Sequence, residues 1–152
     1  PEAVQWLRRV GLDNVTGYLE GGMFEWGKFG METDHVHQLS TIELHDKIQK
    51  GEKMTLLDVR SPREFDALHI ENAVNIPAPD LRTRYKELDP EVPLILVCGT
   101  GHRSSLGASI LKQSGFKEVY NAAGGRTAYN CAGFAPECPM CVVPHGPTFM
   151  GK

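Results

Sequence analysis

The sequence predicts an α/β fold with a mostly parallel sheet that is covered by helices on both faces. Two observations carry this prediction. Short aliphatic and β-branched runs recur along the chain, as at 54–59 and 94–98, which is the pattern of buried strands. Helix start or stop signals lie between successive runs, and alternating strands and helices are typical of a parallel sheet.

Capping residues mark where the predicted helices begin. Ser40 with Glu43, and Ser61 with Glu64, have the spacing of capping boxes, and Pro62 follows Ser61 at the first helical position. In chain order, we predict a helix at 40–50, a strand at 54–59, a short helix from 61, a strand at 74–76, a helix at 81–88, a strand at 94–98, a helix at 104–114, a strand at 119–121 and a helix at about 126–132.

Composition limits the class of protein. The 152 residues suit one domain with appendages, and 41% hydrophobic residues permit a packed core. A net charge of −3 argues against nucleic acid as the main partner. No apolar run approaches the roughly 18–20 residues that span a membrane. Four cysteines are too few for a secreted disulfide scaffold, so we expect a reducing, cytoplasmic compartment.

The first thirty residues repeat a pattern found near the end of the chain. Residues 7–30 match residues 111–133 in a Gly turn, a Val, a Gly-Gly pair, an aromatic residue and a final Gly, with one inserted residue. We interpret 1–30 as the C-terminal remnant of a preceding domain of the same kind. The predicted organisation is this remnant at 1–30, a linker at 31–39, a complete domain at 40–134 and a Pro- and Cys-containing tail at 135–152.

Cys98 is the candidate catalytic residue. It ends the predicted strand at 94–98, and a glycine-containing loop and a helix follow it. The N–H groups of such a loop and the positive end of the helix stabilise a thiolate and attract anions. A buried structural Cys is the alternative interpretation. The loop residues that we expect to bind substrate are Gly99, Thr100, Gly101, His102 and Arg103.

Five sequence blocks follow each other within residues 38–134: Asp58–Phe65, His69-Ile70, Ala73–Pro77, Cys98–Ser104 and Gly124-Gly125. Together they make the chain resemble the rhodanese family. The resemblance implies a five-stranded α/β domain and a sulfurtransferase without a cofactor. Sulfane sulfur would pass from a small anionic donor, thiosulfate or a low-molecular-weight persulfide, through a Cys98 persulfide to a thiol or another nucleophile.

The same resemblance implies supporting residues. Asp58 and Arg60 close the strand next to that of Cys98, where we expect an ion pair or loop anchor. Arg60 is also a candidate for substrate binding, and Ser104 joins Asp58 as expected structural support. Gly99 departs from the family pattern, because active members often carry Arg there, and the departure bears on rate and donor preference.

Alternative functions follow from the same residues. Cell-cycle phosphatases of this fold place five residues between Cys and Arg, whereas four separate Cys98 from Arg103. The shorter loop favours a sulfane sulfur. The second alternative is a low-activity or non-catalytic module that relays sulfur or binds a partner within a larger fusion. The order of partial and complete units also resembles proteins that fuse a metallo-β-lactamase-fold domain to tandem rhodanese domains, which makes such a domain a candidate partner.

The tail contains a second chemical cluster, Cys138, Cys141 and His145. A Cys-x2-Cys pair with a nearby His offers three ligands of a zinc site, and the same pair fits a disulfide or a sulfur-accepting relay. No fourth ligand lies close in the sequence, so we predict no metal and interpret the tail as chemically inert. Cys131 is expected to face the core and to be inert, and the His35/His37 pair is interpreted as linker polarity.

Overall fold

Five parallel strands form one sheet, the number that the family resemblance implies, although the sequence pattern located only four of them. The computed structural model describes residues 2–9 and 11–134. The strands are β1 (His37–Leu39), β2 (Thr55–Asp58), β3 (Val74–Asn75), β4 (Leu94–Val97) and β5 (Val119–Ala122). Their order in the sheet is β1-β5-β4-β2-β3, and every neighbouring pair is parallel. β4 therefore lies at the centre, and Cys98 follows its last residue.

Helices connect the strands. The predicted helix at 81–88 is divided, because its second half is a 3-10 turn at Tyr85–Glu87. The predicted helix at 104–114 begins two residues earlier, at His102. The α-helices of the described chain are α1 (Glu2–Arg8), α2 (Gly22–Lys28), α3 (Thr41–Gln49), α4 (Pro62–Ala67), α5 (Leu81–Arg84), α6 (His102–Gln113) and α7 (Gly125–Cys131).

Both predicted capping boxes form. At the start of α3, Ser40 Oγ accepts from the Glu43 N–H at 3.2 Å, and Glu43 Oε2 accepts from the Ser40 N–H at 2.8 Å. Ser61 and Glu64 exchange the same two bonds at the start of α4, at 3.4 and 3.1 Å. These bonds satisfy N–H groups that have no partner within a helix, and they fix where each helix begins.

The sheet has a hydrophobic core on each face. Alternate residues of the buried strands point to opposite sides, so Leu94 and Leu96 join one core while Ile95 and Val97 join the other. Leu81 of α5 and Leu111 of α6 belong to the first core. The second core includes Leu44 of α3 and Tyr129 of α7, together with Leu39, Leu56, Ile70 and Ala122.

Strand β1 was not expected. We assigned His37–Leu39 to the linker at 31–39, but these residues pair with Tyr120, Asn121 and Ala122 of β5. Only Leu39 of the three is buried, because β1 lies at the edge of the sheet. Three residues with one apolar side chain have too little periodicity to predict a strand. The sheet therefore begins before residue 40.

The N-terminal segment, which contains α1 and α2, is more exposed than the rest of the described chain. Neither α1 nor α2 contains a buried residue. Large apolar side chains are exposed along it, including Trp6 at 61%, Tyr18 at 88% and Phe24 at 75%. Within residues 2–9 and 11–134, no helix has the length and apolar character needed to cross a membrane.

Candidate active site

Cys98 lies at the carboxyl end of the central strand, inside a tight loop. Its side chain is 1% exposed. The loop turns into α6 at Gly101, which adopts φ 98°. A Cβ atom there would lie 3.2 Å from the backbone nitrogen of Gly124, so both the conformation and the close packing favour glycine. The turn carries the chain from β4 into α6 within four residues.

Hydrogen-bond donors surround the sulfur. The Gly101 N–H donates to Cys98 Sγ at 3.1 Å, and the Ser104 hydroxyl lies 3.3 Å from the same atom. Ser104 is itself fully buried, and its oxygen also lies 3.2 Å from the Gly101 carbonyl. A hydroxyl has one proton, so it donates to the carbonyl or to the sulfur. A thiolate is the stronger acceptor and therefore draws that proton to Sγ.

The balance of these effects lowers the pKa of Cys98 from its ordinary value. Burial acts in the opposite direction and is the largest single influence, because it penalises the charged form. Hydrogen bonds from the Ser104 hydroxyl and from the N–H groups of Ser104, Thr100 and Gly101 together outweigh it. The hydrogen-bond donors of the loop thus increase the fraction of Cys98 thiolate at a given pH.

The start of α7 fixes the other side of the loop. The Arg126 N–H donates to the Cys98 carbonyl at 2.7 Å, and the Thr127 N–H donates to the Gly99 carbonyl at 3.0 Å. Gly125 adopts φ 57°, and a Cβ atom on it would lie 2.4 Å from the Cys98 oxygen. The sequence identified the Gly-Gly pair only as a turn. Its contact with the Cys98 loop depends on the tertiary structure.

Arg103 has a partner that the sequence analysis missed. Its Nη1 and Nη2 atoms donate to the two carboxylate oxygens of Glu64, at 2.9 and 2.8 Å. The Arg103 guanidinium lies beside Gly99, since a Cβ atom on that glycine would be 3.5 Å from Nη2. Glu64 was recognisable only as a capping residue. An anionic substrate that binds Arg103, as the sequence predicts, would therefore have to compete with the Glu64 carboxylate for its guanidinium.

Asp58 and Arg60 form a buried ion pair at the carboxyl end of β2, where Asp58 pairs with Val97 of β4. Arg60 Nη2 lies 2.6 Å from Asp58 Oδ2 and 2.7 Å from the Leu68 carbonyl. Asp58 is fully buried and Arg60 is 3% exposed. Asn75 Nδ2 donates to the carbonyls of both residues and ties β3 to them. The expected ion pair therefore forms. Substrate binding by Arg60 stays a prediction, and a substrate there would have to reach a guanidinium already engaged by Asp58 and the Leu68 carbonyl.

A groove borders the loop on the side of β1 and β5. Its volume is about 540 Å³. Thr100 and His102 face it, and their side chains contact each other at 3.1 Å between Oγ1 and Nδ1. Leu106 of α6 adds an apolar surface, and Gln38 and Asn121 add amides, linked by a bond of 2.7 Å. Thr100, Gly101 and His102 thus lie where a molecule approaching the loop would touch them.

The remaining predicted residues lie elsewhere. Cys131 is exposed, so the prediction that it faces the core is wrong; Tyr129 and Asn130 are the buried residues near the end of α7. His69 Nδ1 contacts the Phe65 carbonyl at 2.9 Å at the end of α4, which is a local role. The described residues contain no group of three or more His, Cys, Asp or Glu side chains placed to hold a metal. Cys138, Cys141 and His145 lie outside the described residues.

Comparison with known proteins is consistent with this geometry. The chain is 31% identical over 126 residues to the putative sulfur carrier protein YrkF of Bacillus subtilis, covering 79% of this chain and 68% of that protein. It is 32% identical over 102 residues to the thiosulfate sulfurtransferase GlpE of Pseudoalteromonas translucida, covering 67% and 93%. Some relatives are much longer: the chain spans 47% of the tRNA uridine(34) hydroxylase of Chlamydia abortus, at 34% identity over 85% of this chain.

Solved structures with a similar fold lead to the same family. The crystal structure of a rhodanese-related protein from Thermoplasma volcanium superposes with a TM-score of 0.59 at 29% identity, covering 64% of this chain and 93% of that one. The family model for the rhodanese-like domain matches residues 40–131. This match spans more than half of the chain and includes the Cys98 loop, so the chain belongs to the rhodanese-like domain family.

Proposed function

We propose that the chain is a sulfurtransferase that carries sulfane sulfur on Cys98. The observation that carries this proposal is the position of Sγ at the end of β4, 3.1 Å from the Gly101 N–H and 3.3 Å from the Ser104 hydroxyl. Such a loop stabilises a thiolate, which is the form that attacks sulfur. The thiosulfate sulfurtransferase among the relatives supports the same chemistry.

The reaction has two displacements. In the first, the Cys98 thiolate forms a bond to the outer sulfur of the donor, and the donor's S–S bond breaks. Its electron pair leaves with sulfite when the donor is thiosulfate, or with a thiolate when the donor is an organic persulfide. In the second, an acceptor thiolate attacks the outer sulfur of the Cys98 persulfide, which restores the Cys98 thiolate.

The N–H groups around Sγ give the loop a role in both displacements. Donors from Thr100, Gly101 and Ser104 point toward the sulfur position. They stabilise the attacking thiolate in the first step and the same thiolate as a leaving group in the second. Thr100 and His102 line the adjacent groove, where we place the acceptor.

Turnover measurements test this proposal. We expect the full chain to transfer sulfur from thiosulfate or glutathione persulfide to a thiol, and we expect Cys98→Ser to abolish transfer. Cys131→Ser is the matched control, because this second cysteine of the described chain is exposed on α7. Equal rates for the full chain and Cys98→Ser would overturn the proposal.

A low-turnover relay is the second candidate. Gly99 supplies no side chain to the loop, and Arg103 is held by Glu64. Both features reduce the positive charge that the loop offers to an anionic donor. A relay function predicts that Cys98 gains sulfur while thiosulfate-to-cyanide turnover stays near background. Turnover at rates typical of enzymes, about 1 per second or more, would exclude it.

For domain organisation, we propose that residues 1–30 are the last unit of a preceding rhodanese-like domain. Hydrogen bonds at the turn after α1 and at the end of α2 repeat those at the corresponding positions of 111–134. The bond from the Leu12 N–H to the Leu7 carbonyl, at 3.0 Å, matches that from Phe116 to Leu111, at 3.1 Å. The bonds that end α2 recur at the end of α7 at corresponding residues.

Corresponding side chains are less buried in the first copy than in the second. Val119 and Tyr129 of the second copy are buried, whereas the corresponding Val15 is 37% exposed and Trp26 is partly exposed. A sheet like that of 37–122 would cover the first copy in the same way. We expect removal of residues 1–30 to abolish binding of the dye ANS while sulfur transfer by Cys98 continues. Loss of the folded domain on removal would contradict this organisation.

The same organisation underlies our proposal of a metallo-β-lactamase-fold partner, fused or separate. Supporting it is the order of a partial unit before a complete one. Reading the complete gene that encodes this chain tests it directly. A reducing, cytoplasmic compartment is part of the proposal, because Cys98 must stay a free thiol to accept sulfur.

A further inference from the structure

An ion pair between Arg103 and Glu64 lies beside the Cys98 loop. Arg103 and Glu64 form two parallel hydrogen bonds at 2.8 and 2.9 Å, the geometry in which a guanidinium and a carboxylate match best. Glu64 is fixed further by Ser61, whose hydroxyl donates to Oε2 at 2.8 Å and whose N–H donates to the same atom at 3.1 Å. The carboxylate therefore has a set position, and it sets that of Arg103.

The pair lies close to the reacting sulfur. The Arg103 guanidinium lies against Gly99, next to Cys98 in the chain, and it interacts electrostatically with the Cys98 thiolate. At the carboxyl end of β2, the charge of Arg60 is matched by Asp58. Two of the arginines near Cys98 are thus each paired with a carboxylate. Arg126 lies at the start of α7, and its N–H binds the Cys98 carbonyl.

The two donor classes place different charge at this site. Thiosulfate brings two negative charges to a thiolate; sulfite leaves with two of the three charges, and the third stays on the outer sulfur of the Cys98 persulfide. A protonated organic persulfide brings none to the reacting sulfur: the Cys98 thiolate takes the outer sulfur with its proton, and one thiolate leaves for the one that attacked. Loading of Cys98 from thiosulfate therefore needs a cation beside the loop much more than loading from an organic persulfide does.

We propose that Glu64 determines donor specificity by holding Arg103, so that the loop prefers an organic persulfide over thiosulfate. The inference rests on the proposed sulfur transfer and names its substrate class. Glu64 touches no reacting atom and acts through Arg103, which makes it a positioning residue. The absence of a side chain at Gly99 adds to the effect, because no second cation is supplied from that position.

Glu64→Gln tests the proposal. Glutamine can still accept from the Ser61 N–H in the capping box, but it no longer neutralises Arg103. We expect the ratio of kcat/KM for thiosulfate to kcat/KM for glutathione persulfide to rise about tenfold, and the rise to shrink as salt is added. The matched control is Glu43→Gln, because Glu43 closes the same type of capping box with Ser40. It should leave the ratio unchanged.

A second variant separates charge from shape. In the double variant Glu64→Gln, Arg103→Gln the rise should disappear, since the released cation is gone. A rise that persists in the double variant, or a change that is equal for both donors, would overturn the inference while leaving sulfur transfer intact. Failure of both donors to load Cys98 in the unmodified chain would overturn the proposed function, and this inference with it.

Discussion

The backbone N–H of Gly101 points at the sulfur of Cys98 from 3.1 Å, although the Cys98 side chain is 1% exposed. Burial alone would raise the pKa of the thiol, and this N–H is one of several donors that together lower it below its ordinary value. A strand end, a left-handed glycine and a helix start are enough to hold them in place. The following predictions test the parts of this arrangement one at a time.

Ser104→Ala should raise the pKa of Cys98, because the hydrogen bond from the Ser104 hydroxyl contributes most to lowering that pKa. We expect the pH profile of Cys98 alkylation by iodoacetamide to move upward by about one unit. Ser109→Ala is the control, since Ser109 lies on the same helix and bonds only the Ser105 carbonyl. An unmoved profile for Ser104→Ala would show that the backbone N–H groups alone stabilise the thiolate.

Gly125→Ala should distort the Cys98 loop, because the new methyl group would lie 2.4 Å from the Cys98 oxygen. Gly22 is the matched control: it opens α2 at φ 59°, against 57° for Gly125, with nothing within 4 Å of an added Cβ. Gly22→Ala should cost about 1–2 kcal/mol through its backbone conformation. Gly125→Ala should cost about 1–3 kcal/mol more through the clash. Urea unfolding measures both, and equal costs would contradict the proposed contact.

Asp58→Asn should destabilise the domain by about 3–5 kcal/mol, because it leaves the Arg60 guanidinium buried without its counter-charge. Thermal and urea unfolding measure the loss. Glu87→Gln breaks the exposed pair with Arg84 and should cause no measurable change. Similar stability of the two variants would mean that the buried pair is not the anchor of the loop.

The Arg103–Glu64 pair should make stability depend on pH in the acid range. Hydrogen bonds from Arg103 are the main cause that lowers the pKa of Glu64 from 4.5 to about 2. Because the folded state holds the lower pKa, the stabilisation is complete above about pH 4.5 and is lost as the pH falls toward 2. The difference in urea midpoint between the unmodified chain and Glu64→Gln should therefore be smaller at pH 3 than at pH 6. A difference independent of pH would contradict the ion pair.

Local signals in the sequence predicted most of the fold and the centre of the site. The capping boxes at Ser40 and Ser61 form as predicted, since their bonds join residues three apart. Cys98 was found because a strand end, glycines and a helix start follow each other directly. Each of these signals depends on neighbours in the chain, which is why one sequence was enough.

Tertiary contacts account for what the sequence did not predict. Glu64 and Arg103 lie 39 residues apart, and nothing local to either residue indicates the other. Strand β1 exists because β5 offers an edge to His37–Leu39, not because its own residues favour a strand. The contact between Gly125, at the start of α7, and Cys98, after β4, is likewise a tertiary contact.

The formation of a persulfide on Cys98 tests the central claim most directly. Intact-protein mass spectrometry after treatment with thiosulfate or glutathione persulfide should show a gain of one sulfur atom, and cyanide should remove it. The gain should be absent from Cys98→Ser and present in Cys131→Ser. No gain with either donor, or a gain that survives in Cys98→Ser, would contradict the account.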